Sequence, residues 1–153
     1  MNRLFVWTLV SAVFFSSCNT QVKKQDSPLR RVITLENTPV SRPYSPAVEV
    51  GNMLYVSGQI ALDPATGKLI EGGFEEQARQ TLSNLKTVIE KAGYKLEDVV
   101  RCTVLLTDIN NYAPMNRIYM EYFPSDPPAR MAFAVRDLPM GALIEIDAIA
   151  AKK

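Results

Sequence analysis

Two residues near the C-terminus have the types and surroundings for chemistry. Arg130 opens the run "RMAFAV" after "PPA", and Glu145 stands in "LIEIDAIA". A guanidinium grips a carboxylate with two parallel hydrogen bonds and stays charged at any working pH, and a carboxylate within reach of a water can take its proton. The chain has no histidine, which excludes a histidine-based nucleophilic triad and the usual histidine-rich metal sites. Of the two cysteines, Cys102 alternates with Val100, Val104 and Leu106 and reads as a small buried hydrophobe rather than a nucleophile.

The segments that carry the pair read as a closing hairpin, Arg130 to Arg136 and Leu143 to Ala150, around "DLPMGA", where Pro139 and Gly141 suit a tight reversal. Strand side chains alternate. Met131, Phe133 and Val135 then share an apolar face with Ile144, Ile146 and Ala148, suited to lie under helices. The other face carries Arg130, Ala132, Ala134 and Arg136 with Leu143, Glu145, Asp147 and Ile149. A subunit interface with a polar pocket fits that mixture, and so does a solvated face with a cross-strand ion pair.

The elements that must position these residues follow from periodicity. Arg31 to Leu35, Met53 to Ile60 and Val99 to Thr107 read as strands, with "DPATGK" at 63–68 as a turn. Phe74, Ala78, Leu82, Leu85 and Ile89 recur at three- and four-residue steps up to Gly93, which predicts an amphipathic helix. A shorter helix over Asn111 to Phe123 carries Tyr112, Met115, Tyr119 and Tyr122 on one side, ended by Pro124, Pro127 and Pro128. The order β-β-α-β-α-β-β implies an α+β fold in which two helices cover one face of a mixed sheet.

At 153 residues, 47% hydrophobic and 22% charged, the chain suits one globular domain, placed at 30–153. Residues 1–17, with Arg3 before an apolar run, read as an export signal too short to span a bilayer. "FFSSC" resembles the lipobox of bacterial lipoproteins, which implies a lipidated Cys18, a flexible tether over 18–29 and a membrane-anchored, exported protein. Removing residues 1–17 takes away Arg3 alone among charges and leaves 16 of each sign. Such a balance gives no basic field for nucleic acid.

Taken together, "RPYSPAVEVGNMLYVSGQIALDPATGKL", "EEQARQTLSNLKTVIEKAG", "LTDINNYAPMN", "PPAR" and "IEIDAIA" resemble, in order, the reactive intermediate deaminase family, also known by its YjgF name. The likeness implies a chorismate-mutase-like fold, a homotrimer with clefts between subunits, and a small enamine or imine acid as substrate, with no cofactor and no metal. It implies that Arg130 binds the substrate carboxylate and Glu145 positions and activates water. Tyr44, Ser57 with the backbone of Gly58, and Asn110 match the family's substrate pocket. Ala132 stands where the family often has cysteine, in a position that contributes backbone contacts, and Arg42 stands near the tyrosine motif where glycine is frequent.

Hydration of an imine needs a water, a carboxylate base and donors for the nitrogen, so the missing histidine is accounted for. With a turn centred on Pro139 and Met140, Glu145 lies opposite Ala134, four residues from Arg130, or about 13 Å at roughly 3.3 Å per residue. A three-carbon acid does not bridge that distance, so the pair is expected to come from different chains. Three functions compete: an imine deaminase releasing a 2-keto acid and ammonia, a non-catalytic trimeric module binding carboxylated metabolites, and a ribonuclease. The neutral balance, the absence of histidine and the export signal argue against the last.

Overall fold

A computed structural model describes residues 30–35 and 43–153. The export signal, Cys18, the tether and Arg42 lie outside the described residues. Six strands form one sheet: β1 (Arg30–Ile33), β2 (Ala47–Val50), β3 (Met53–Gln59), β4 (Val99–Leu106), β5 (Ala129–Ala134) and β6 (Ile144–Ala151). Two helices, α1 (Phe74–Lys91) and α2 (Tyr112–Tyr122), lie between β3 and β5 in the chain. The spatial order is β1-β2-β3-β6-β4-β5, antiparallel throughout except for the parallel pair β4 and β5.

Both helices cover one face. Ala78, Leu82, Leu85, Val88 and Ile89 of α1 and Met115, Ile118 and Tyr119 of α2 are buried with Leu54, Val56, Val104, Ile144 and Ile146 of the sheet. α1 starts where the Glu76 carboxylate accepts the amide of Gly73 at 3.0 Å and ends at Gly93, whose φ of 83° an L side chain tolerates poorly. Arg117 and Glu75 (3.1 Å) and Arg79 and Glu121 (2.8 Å) tie the two helices together. Exposed pairs of this kind add little stability, but they fix α2 relative to α1.

Three expectations are corrected. The short strand β2 was not anticipated. It pairs with β3 around Gly51 and Asn52, where Gly51 has φ 63°, and a four-residue strand with one charge leaves little alternation to detect. Val100 does not share the face of Cys102: the register shift between Val99 and Arg101 turns it outward, 46% exposed.

The third correction matters most for function. β5 and β6 are not a hairpin, because β4 lies between them, parallel to β5 and antiparallel to β6. Arg130 sits beside Cys102 and Ala132 beside Val104, both fully buried. Arg130 and Ala132 therefore point to the helices, while Met131 and Phe133, 45% and 42% exposed, point away. In β6 the expected faces hold: Ile144, Ile146 and Ala148 are buried, and Glu145 and Asp147 share the open face with Tyr55. Arg136 lies beyond β5 and is exposed.

Candidate functional site

Arg130 is seated on α2. Its Nη2 donates to Asn116 Oδ1 at 2.6 Å and lies 3.4 Å from the Tyr112 hydroxyl, and Nη1 lies 3.4 Å from the sulfur of Met115. The guanidinium carbon is 4.7 Å from the Tyr119 ring centroid and 5.7 Å from that of Tyr112. No carboxylate among the described residues pairs with it. A half-buried cation held by neutral groups on aromatic faces retains its affinity for an anion.

Asn116 was not among the expected site residues. Tyr112, Asn116 and Tyr119 stand at i, i+4 and i+7, one stripe of a helix, and the asparagine within that tyrosine stripe was the available signal. Asn110, the expected pocket asparagine, is exposed in the turn after β4, where its backbone N–H donates to the Asp108 carboxylate at 2.9 Å. Ala132 is partly buried against the core. Cys102 is wholly buried, and burial pushes its thiol up to about 11, so it is not a thiolate at neutral pH.

Glu145 is placed by a bulge. Val56 pairs with Ala148 and Gln59 with Ile146, so β3 spends one residue more than β6 over this stretch, and Ser57 and Gly58 occupy the irregularity. The Glu145 carboxylate lies where a side chain on Gly58 would begin. Burial, and then the neighbouring charge of Asp147, hold its pKa above the ordinary carboxylate value. It has no hydrogen-bond partner among the described residues.

Ser57 anchors this corner: its hydroxyl donates to the Ser45 carbonyl at 2.7 Å and its amide to the Pro46 carbonyl at 3.0 Å. That draws β3 to the segment carrying Tyr44, which is 53% exposed just before β2. Tyr44, Ser57, Gly58 and Glu145 thus gather at one end of the sheet. A depression of about 290 Å³ farther along the open face is lined by Tyr55, Arg101, Thr103 and Asp147 and includes neither Arg130 nor Glu145.

A methyl group on Gly58 would displace the flexible Glu145 side chain rather than the backbone. Gly58→Ala is therefore expected to lower turnover by on the order of 10²-fold, the usual cost of misplacing a reacting group by about 1 Å. The melting temperature should stay close to wild type. Paired steady-state kinetics and thermal melts check the two together.

Arg130 and Glu145 lie on opposite faces of one sheet. The hairpin behind the expected same-face spacing is absent, and the sheet itself stands between the two groups. A single chain presents, among the described residues, a guanidinium without a carboxylate partner on one face and a carboxyl without a hydrogen-bond partner on the other.

A family model described as Endoribonuclease L-PSP matches residues 35–152. A RutC family protein of Pyrococcus horikoshii is 48% identical over 126 residues, covering 82% of this chain and all of that one. The human 2-iminobutanoate/2-iminopropanoate deaminase is 46% identical over 125 residues, covering 81% of this chain and 91% of its own. The solved structure of the YjgF gene product of E. coli superposes with a TM-score of 0.75 at 39% identity, covering 80% of this chain and 99% of that one.

Proposed function

Because this chain belongs to the family described as Endoribonuclease L-PSP, the same reactive intermediate deaminase family that its motifs resemble, we propose that it hydrolyses small 2-imino acids to 2-keto acids and ammonia. The observation that carries the reading is a guanidinium seated by Asn116 and Tyr119, together with a carboxyl of raised pKa at Glu145, neither of which has an ion-pair or carboxyl hydrogen-bond partner of its own among the described residues. The name of the human relative supports it.

Arg130 takes the substrate carboxylate in its fork and orients the adjoining C=N carbon. Glu145 removes a proton from water as the oxygen bonds to that carbon, the C=N π electrons moving to nitrogen, which takes up a proton from solvent that is given back when the hydroxyl later loses its own. The resulting carbinolamine collapses: Glu145 returns its proton to the amine, the C–N bond breaks, and ammonia leaves as the hydroxyl oxygen loses its proton and becomes the keto oxygen. An enamine enters the same path after protonation at its terminal carbon. One water is consumed and no electrons are exchanged, so neither a cofactor nor a metal is called for.

Because the two groups lie on opposite faces, the working site is assembled from different copies, and a homotrimer with clefts between subunits is the proposed form. The test uses iminopropionate made in situ by an amino-acid oxidase, with Arg130→Ala and Glu145→Ala studied separately and co-assembled. Each alone should lose most of the acceleration of imine loss, and mixed assemblies should regain part of the wild-type rate through clefts that receive an intact group from each neighbour. A mixture as inactive as its components would overturn the shared site. No acceleration by wild type, with carboxylate binding intact, would instead favour the binding module. The balanced charge and the absence of histidine give a ribonuclease neither a basic path nor the usual acid-base group.

Export on an acylated Cys18 is likewise proposed, on the sequence of residues 1–18 alone. The mass of the mature N-terminus in a membrane fraction tests it.

A further inference from the structure

Resting on the role proposed for Arg130, we infer that the face of the Tyr119 ring is a working part of the carboxylate grip: it positions the guanidinium by a cation–π contact. The ring is deeply buried, 4% exposed, and cannot drift toward solvent. Phe123, one helical turn on, packs against it with ring centroids 4.6 Å apart. Arg130 is 4.7 Å from the Tyr119 centroid. Phe123, Tyr119 and Arg130 thus form a chain of contacts from the end of α2 to the edge strand.

Two further observations assign the role to the ring and not to its hydroxyl. That hydroxyl is buried beside the Cys102 thiol and makes no hydrogen bond to the guanidinium, and burial holds the phenol well above its usual pKa, so it offers Arg130 no anion. The polar contacts to the guanidinium come from Asn116 and Tyr112, and both leave freedom that a flat surface removes. A guanidinium placed against a fixed aromatic face has one plane in which to present its donors, so a flat carboxylate meets it with little further ordering. The contact also costs no competing anion: a carboxylate in Tyr119's place would occupy the grip.

Electronic substitution tests this without removing the ring. Binding of pyruvate, a small 2-keto acid, would be measured by calorimetry, and KM and kcat by the in situ imine assay, for Tyr119→Phe and for 3,4,5-trifluorophenylalanine at position 119. Tyr119→Phe keeps the aromatic face and is the reference against which the fluorinated ring is compared. The fluorinated ring keeps the shape but drains the face of negative charge, and should weaken pyruvate binding and raise KM by about 2- to 30-fold with little change in kcat. In an Arg130→Ala background the fluorinated ring should have no further effect.

A fluorinated ring as effective as phenylalanine would overturn the inference and leave Tyr119 a packing residue. So would an equal loss with and without Arg130. If pyruvate failed to bind wild type, or bound Arg130→Ala equally well, the grip itself would be wrong, a result separate from any effect at Tyr119.

Discussion

Replacing Arg130 by alanine is expected to lower kcat/KM for a small 2-imino acid by about 10²- to 10³-fold, since losing one partner of a desolvated, charge-assisted pair costs several kcal/mol. Most of that loss should appear in KM, because the guanidinium holds a carboxylate that does not itself react. Arg130→Lys should fall between, keeping the charge but not the fork. The fold should survive, since the side chain sits at an edge strand against α2 and pairs with no carboxylate among the described residues. Steady-state kinetics beside a thermal melt check all three. A wild-type kcat/KM in Arg130→Ala would remove the grip from the mechanism.

The second large effect belongs to Glu145. Glu145→Gln is expected to reduce kcat by about 10²- to 10⁴-fold, the range for a positioned general base, with KM nearly unchanged. Because burial and Asp147 raise its pKa, the wild-type rate should fall on the acid side from a pH above the ordinary carboxylate value. Asp147→Asn should move that limb toward lower pH.

The same shift fixes a sign for stability. A carboxyl whose pKa is raised by folding binds its proton more tightly in the native state, so its contribution is fully present below the unfolded pKa and lost as pH rises through the folded one. At neutral pH the charged Glu145 therefore costs stability. Glu145→Gln should melt higher than wild type there, with the difference closing in acid. A lower melting temperature at neutral pH would mean that the carboxylate has a stabilising partner in the assembly.

How far the chain could be read depended on whether each signal was local. α1 was legible because five apolar residues keep helical spacing and Gly93 ends the run. The class of the fold followed from alternating strands and helices. Strand partners were not legible: the reversal at residues 139–141 looks like a hairpin turn, yet β4 inserts between β5 and β6, and adjacency in sequence does not encode such an insertion. The faces of β5 were misread for a related reason. Arg130 was placed on the mixed face turned away from the helices, whereas α2 supplies Asn116 and two aromatic faces that receive it on the covered side.

Glu145 fared better, since strict alternation in β6 was enough to put it on the open face. Its closeness to Gly58 depends on a bulge, and no feature of "VSGQ" by itself says that the strand gains a residue there. Asn116 was within reach of helical periodicity but is polar in a stripe identified by its apolar members.

The crossover from β4 through α2 to β5 also decides how the two halves can be inherited. The proposed acid grip is written almost entirely in one continuous passage, 112–130, in which Asn116, Tyr119 and Arg130 travel together. The proposed base is assembled from distant passages, with Glu145 on β6 and the glycine that makes room for it on β3. A single local event can therefore retune or erase acid recognition while the proton-transfer corner stays whole. The reverse requires coordinated change at two places. Descendants of such a chain should diversify first in which acids they hold, and only later in whether they react with them.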